Sequence, residues 1–397
     1  MTPLTLRLVG GMARVIPRLR TSSPSSTASM SSSRSNSDIT TPDEEAPSII
    51  PLIGSSKFPP LPHVKSILIT GGAGFIGSWV TRHLVHQYQD HYTVVCLDKM
   101  DPVASWNNIL ELFTYPNFRF IRGNILDRET VRSALESFQV DCVLHFAASS
   151  HVEHSFTDSF TFTENNVLGT HTLLDIVRAY GKVNRFIHVS TDEVYGETNG
   201  VPASEETTPL APTNPYAASK AAAEMYVKAY QKSYGLPAII VRSNNVYGPC
   251  QYPEKIIPLF TSLMLKGEKL TLQGDGTNAR RFLHSADAAD AFDAILHKGT
   301  VGEIYNVDSA YEVQNRQVAA HILDLFGHKD FDKHVSWIPD RPFNDHDYAL
   351  DGQKLRDLGW TQRVDFSTGL ATTVEWYKKN LTYWWDSFPD DQKHHRP

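Results

Sequence analysis

The stretch Thr70–Gly77, TGGAGFIG, constrains the fold more than any other part of the chain. Its first residue ends a short apolar run (SILIT, 66–70), and its last leads into SWVTRHLVHQY, whose apolar spacing predicts a helix. Gly71, Gly74 and Gly77 give G-x-x-G-x-x-G, and Gly72 also satisfies the shorter G-x-G-x-x-G spacing. Between a strand and a helix, such glycines permit a tight turn and let a pyrophosphate approach the helix N-terminus. The next apolar run, VVCLD (94–98), ends at Asp98. An acid about 20 residues past the glycines is placed to accept the adenosine ribose hydroxyls of a dinucleotide. A carboxylate there repels a 2′-phosphate, which favours NAD over NADP, while Lys99 beside it leaves some tolerance for NADP.

Further strand candidates follow at FRFI (118–121), CVLHF (142–146), FIHVS (186–190) and AIIVR (238–242), with helix-period segments such as 167–180 and 216–234 between them. That alternation predicts an α/β fold: a Rossmann-like, doubly wound parallel sheet. Beyond Tyr247 the rhythm loosens into Pro, Gly and scattered helices, as expected of a smaller C-terminal substrate-binding lobe over the strand ends. The expected divisions are a disordered extension and linker (1–62), an NAD-binding Rossmann domain carrying the catalytic residues (63–247), and a mainly substrate-binding lobe (248–397).

Composition narrows the class. A net charge of −7 supplies no general field for nucleic acid. No apolar run approaches the roughly 18 residues of a membrane span. Cys96, Cys142 and Cys250 are widely spaced without a CxxC pair, which argues for a reducing compartment and against a structural metal. Residues 1–37 hold no acid, and Arg7, Arg14, Arg18, Arg20 and Arg34 are scattered among serines. That composition resembles a mitochondrial transit peptide, and equally suits a disordered tail or an extension ahead of a later start such as Met30. A cytoplasmic location is expected from the substrate type argued below.

STDEVYG (190–196) sets Asp192 and Glu193 side by side at the end of an apolar strand. Adjacent acids in a cleft of low dielectric favour one neutral and one ionised partner, the split an acid/base couple needs. NPYAASK (214–220) begins a helical run in which Tyr216 and Lys220 stand four apart, on one face. A Lys ammonium there is expected to lower the Tyr216 pKa, making it a base, and to reach the nicotinamide ribose.

Together TGGAGFIG, Asp98, HFAASSHV, STDEVYGE, NPYAASKAAAE and NNVYGP resemble an extended short-chain dehydrogenase/reductase acting on nucleotide sugars. The Thr-Asp-Glu run resembles the NAD-dependent nucleotide-sugar 4,6-dehydratases. NNVYGP, QYPEKIIP, HKGTVGEIYNV and RPFNDHDYALDGQKLRDLGW are most similar to the UDP-glucose 4,6-dehydratase module of plant rhamnose synthases. The resemblance spans roughly Ser66 to Trp385 and implies one reaction. Tyr216 removes the sugar 4-hydroxyl proton as C4 is oxidised, Glu193 takes the C5 proton, and Asp192 protonates the departing 6-hydroxyl. Thr191 holds the 4-oxygen.

The same resemblance assigns Gly71, Gly74, Phe75, Ile76, Gly77, Asp98, Lys99, Asn124, Ile125, Ala147, Ala148, Tyr216 and Lys220 to NAD. Ser150 falls to the sugar; Asn245, Lys255, Arg280 and Arg341 fall to the nucleotide and diphosphate, Asn344 is also substrate-binding, and no metal is implied. Asn124 stands where many relatives place an acid near adenine. Arg281 and His284 interrupt a stretch that is more aromatic in relatives. Phe343-Asn344 replaces the Gly-His common in bacterial dTDP-glucose enzymes, which favours UDP-glucose over dTDP-glucose. A homodimer through the helices near 167–180 and 216–234 is the family expectation. UDP-sugar 4-epimerases and UDP-glucuronate decarboxylases share the fold, NAD and YxxxK but do not need the acid pair. A catalytically silent NAD-binding regulator would have no physical reason to keep Thr191, Asp192, Glu193, Tyr216 and Lys220 together.

Overall fold

The computed structural model describes residues 50–385, apart from 341, 342 and 344. The first six strands are β1 (Ser66–Thr70), β2 (Thr93–Asp98), β3 (Phe118–Arg122), β4 (Cys142–His145), β5 (Arg185–Thr191) and β6 (Ala238–Ser243). Then come β7 (Asn245–Tyr247), β8 (Leu270–Gln273), β9 (Ala279–His284), β10 (Ile304–Val307), β11 (Glu312–Gln314) and β12 (Val335–Ile338). Seven of these form one sheet in the order β10-β6-β5-β4-β1-β2-β3, with every pair parallel.

Successive residues of a strand point to opposite faces, and both faces here are covered. Ile67, Ile69, Val94 and Cys96 join one core cluster, whereas Leu68, Val95 and Leu97 join the other. The helices Phe75–Gln87 and Ser285–Lys298 pack on one side. Arg128–Ser137, Gly169–Tyr180 and Pro215–Tyr234 pack on the other. Burial on both faces explains why each central strand reads as an unbroken apolar run.

Strand order reverses between β1 and β4, which opens a crevice at their C-terminal ends. β10 comes from beyond residue 247, so the downstream part of the chain also completes the main sheet. The remainder builds a smaller core around β7–β9–β11 and β8–β12, from residues such as Phe260, Leu272, Ile322 and Leu370.

Residues 50–62, expected as disordered linker, run as coil but are held down. Ser55 and Ser56 main-chain N–H groups donate to Asp290 Oδ1, both at 2.7 Å. The amides of Phe58 and Leu61 donate to the Tyr88 and Tyr92 hydroxyls at 2.8 and 2.6 Å. The Pro and Ser content excludes helix or strand, but it leaves polar main chain free for such side-chain partners. No helix among the described residues is long and apolar enough to cross a membrane.

Candidate active site

The glycine turn lies at the crevice. Gly71 has φ +72°, and a Cβ there would lie 2.6 Å from Ala147 N, so β1 and the loop after β4 meet at a contact only glycine permits. A Cβ at Gly77 would fall 2.2 Å from Gly71 O, which binds the helix tightly to the turn. Gly74 is the N-cap of that helix and no side chain caps it, which leaves amides for an anion. Phe75 and Ile76 open the helix. Asp98 Oδ2 accepts from Ala73 N–H at 3.0 Å and Oδ1 from Met100 N–H at 2.8 Å, which holds the carboxylate beside the turn. Each oxygen keeps a lone pair for a ribose hydroxyl. Lys99 pairs with Asp101 at 2.7 Å. Asn124 Oδ1 accepts from Leu126 N–H, and Ile125 is buried. Ala147 and Ala148 border the crevice after β4, half-buried. These groups fit a dinucleotide.

One strand further on, β5 delivers the acids. Thr191 ends β5, and its Oγ1 accepts from Glu193 N–H at 3.3 Å, starting the single turn Asp192–Tyr195. Thr191 Oγ1 donates to Asp192 Oδ1 at 3.0 Å. Asn244 Nδ2 donates to Asp192 Oδ2 at 2.8 Å, and Asn214 Nδ2 to Glu193 Oε2 at 2.8 Å. Asp192 is 2% exposed. Burial first, and the Glu193 charge second, push its carboxyl up to about 7 against the pull of Asn244, Thr191 and Arg280. Burial also raises Glu193, while Asn214, Arg280 and Lys255 pull it down. The pair therefore titrates as a coupled couple above the ordinary carboxylate range.

Asn214 has a second task. It is the N-cap of the Pro215–Tyr234 helix, its Oδ1 accepting from Ala217 N–H at 2.8 Å. One side chain thus starts the helix that carries Tyr216 and orients Glu193. Tyr216 and Lys220 are both buried on this helix. The expected effect of one on the other is not what the structure has. Burial, and then the Glu193 and Asp192 charges, raise the Tyr216 phenol, with only Thr191 pulling it down. Lys220 Nζ instead donates to Val189 O at 2.6 Å, and burial lowers its pKa to about 8. Desolvation outweighs spacing here.

The loop after β4 is held against the same helix. In a π-helical turn at Thr163–Leu168, Asn166 accepts from Ser149 N–H at 2.7 Å and donates to Ser149 O and Ser219 Oγ, both at 2.9 Å. Lys255 Nζ donates to Ser150 O at 2.8 Å, joining two of the expected substrate ligands. Arg280 donates to Asp345 O at 3.0 Å and lies 4.8 Å over the Tyr348 ring, within the electrostatic reach of both acids. Asn245 lies on β7, half-buried. Arg341 and Asn344 lie outside the described residues. Arg281 pairs with Glu312 at 3.0 Å. His284 is buried as the N-cap of the Ser285–Lys298 helix, accepting from Ala286 N–H.

Sequence reasoning missed Asn214, Asn244, Asn166, Asp345 and Tyr348. NPYAASK placed Asn214 beside Tyr216, so its capping role could have been found. The others act across the fold and left no local signal.

The chain matches the GDP-mannose 4,6 dehydratase family over residues 68–373. It belongs to this family. The family is NAD-dependent, and its members are nucleotide-sugar 4,6-dehydratases. A trifunctional UDP-glucose 4,6-dehydratase/UDP-4-keto-6-deoxy-D-glucose 3,5-epimerase/UDP-4-keto-L-rhamnose-reductase of Arabidopsis thaliana is 48% identical over 81% of this chain. The match covers 48% of that protein, so the chain spans about half its length. A dTDP-D-glucose 4,6-dehydratase of Mus musculus is 44% identical over 82% of this chain and 92% of its own. The dTDP-glucose 4,6-dehydratase of Streptomyces venezuelae, solved with NAD bound, superposes with a TM-score of 0.77 at 41% identity. That match covers 81% of this chain and 99% of that one.

Proposed function

We propose that the chain is a UDP-glucose 4,6-dehydratase, which turns UDP-glucose into UDP-4-keto-6-deoxyglucose and water. The observation that carries this reading is the buried Asp192, held near 7 beside Glu193. An acid that is half-protonated near neutral pH can donate, while its ionised neighbour can accept. Epimerisation or decarboxylation has no use for that couple.

In this reading Tyr216 takes the proton from the sugar 4-hydroxyl, and Thr191 holds the same oxygen in line. NAD, held by the glycine turn and Asp98, would supply a positive ring beside Tyr216, a hydride acceptor for C4 and a hydride donor for C6. The C4 ketone acidifies the C5 proton, which Glu193 removes, and C5 is reprotonated when hydride reaches C6. Asp192 gives its proton to the 6-oxygen as water leaves. Gly71, Gly74, Gly77, Asp98, Asn124 and Lys220 hold the dinucleotide. Ser150, Asn245, Lys255 and Arg280 hold the sugar and diphosphate, with Arg341 and Asn344 from the same stretch as Asp345. Met225, Tyr226 and Tyr234, exposed on the Pro215–Tyr234 helix, support a homodimer, which sedimentation would measure.

The higher identity to the Arabidopsis relatives supports UDP. The second reading, dTDP-glucose, draws on the mouse and Streptomyces relatives. One thymine methyl is worth about 1–3 kcal/mol, so some turnover of both is expected. Competing the two substrates in one reaction gives the ratio of kcat/KM. A ratio favouring UDP-glucose supports the first reading, and one favouring dTDP-glucose replaces it with the second.

A further inference from the structure

Asn244 is the single residue between β6 and β7, and it is 3% exposed. Its Nδ2 donates to Asp192 Oδ2 at 2.8 Å and to Tyr348 O at 3.0 Å. Its Oδ1 accepts from Ser309 N–H at 3.1 Å. The amide cannot turn over. Tyr348 O only accepts and Ser309 N–H only donates, so a flipped amide would lose both of these backbone contacts, whatever the protonation of Asp192. Two distant main-chain segments thus fix an N–H donor on Asp192 Oδ2.

The neighbour of Oδ1 is different in kind. The Thr191 hydroxyl, 3.0 Å away, can donate or accept. When Asp192 is ionised, both neighbours donate to it. When Asp192 is protonated, the Asn244 N–H still occupies Oδ2 and cannot receive, whereas the Thr191 hydroxyl can rotate to receive from Oδ1. A proton therefore has a partner on Oδ1 alone.

We propose that Asn244 is a positioning residue that places the acid proton of Asp192 on Oδ1, the oxygen shared with Thr191. The inference rests on the dehydratase reading above. In the elimination that proton passes from Oδ1 to the 6-oxygen as the C6–O bond breaks. Glu193 takes the C5 proton, and the electrons of that C–H bond form the C5–C6 double bond. Asn244 touches neither reacting carbon and acts through Asp192.

The charged and titratable groups facing Asp192 are Glu193 on its own turn, Arg280 from β9 and Tyr216 from the Pro215–Tyr234 helix. A change at Asn244 leaves all three in place. Asn244 favours the ionised carboxylate, as Thr191 and Arg280 also do, against burial and Glu193. Removing it raises the Asp192 pKa. Water loss needs protonated Asp192, so its rate falls as pH rises through that pKa.

The test follows single-turnover water loss by mass spectrometry, and C4 oxidation by the absorbance of reduced cofactor, as functions of pH. For Asn244→Ala the fall in water loss moves to higher pH by about one to two pH units, the size of one hydrogen bond to a charged group. Asn244→Ser, which keeps a donor, restores part of that shift, while C4 oxidation persists in both variants. A fall that is unmoved, or moved to lower pH, overturns the proposal. A neutron structure of the unmutated holoenzyme, crystallised below the Asp192 pKa, needs no variant to fold: a deuteron on Oδ1 supports the proposal and one on Oδ2 overturns it. If the unmutated enzyme removes water from no sugar nucleotide, the dehydratase reading fails instead.

Discussion

Replacing Asp192 with Asn is expected to stabilise the protein while abolishing water loss. Burial lifts this carboxyl from an ordinary 3.8 to about 7. A raised folded-state pKa means that the native state binds a proton more tightly than the unfolded chain. The associated stability is fully present below 3.8 and is lost as pH rises through about 7. At about 1.4 kcal/mol per pH unit, the ionised form at mildly alkaline pH carries a penalty of about 4 kcal/mol. The amide removes it with little change of shape. Its carbonyl can face Asn244 Nδ2, and its NH2 can donate to Thr191 Oγ1, so both present contacts survive. Neutral hydrogen bonds are weaker than the charged ones they replace, which reduces the expected gain to about 2–3 kcal/mol. Urea denaturation of wild type and Asp192→Asn, near pH 8 and again near pH 5, reads the difference. The gain should be largest at the higher pH and shrink at the lower. Equal stability at the higher pH, or a gain that does not change with pH, would refute the argument that burial holds Asp192 near its working range.

Three further outcomes follow from the geometry. Gly77→Ala pushes a Cβ to 2.2 Å from Gly71 O, so the helix must move off the turn; a stability loss of about 1–3 kcal/mol and weaker NAD binding by calorimetry are expected. Tyr216→Phe should lower C4 oxidation by about 10²–10⁴-fold in stopped-flow absorbance. Arg242 pairs with the buried Glu224 through Nε at 3.0 Å and Nη2 at 2.6 Å, and its Nη1 donates to Tyr195 OH on the Asp192–Tyr195 turn. Arg242→Met leaves Glu224 buried and unpaired, so denaturation should report a loss of about 3–5 kcal/mol, much of it recovered by adding Glu224→Leu.

Apart from the edge strand β3, the strands that sequence reading found have both faces buried. SILIT coincides with β1, and FIHVS lies within β5, because no solvent face interrupts either run. β10 escaped notice because it is only four residues, IYNV, and one of them is the polar Asn306. The acid pair and Tyr216 were legible because each sits within a few residues of its own turn or cap. The contact of Asn244 with Asp192 joins positions 52 apart, which no spacing reports. The Lys220 effect was misread for another reason. An i,i+4 interval puts two side chains on one face, but it does not say that the ammonium will bind Val189 O, or that burial will dominate the phenol.

The central claim is best tested by mass spectrometry of UDP-glucose after incubation with the purified protein and catalytic NAD. A product lighter by one water, formed with no net accumulation of reduced cofactor, is the result expected of Asp192 and Glu193 acting as an acid/base couple. A sugar nucleotide of unchanged mass, in protein that binds NAD, would contradict it.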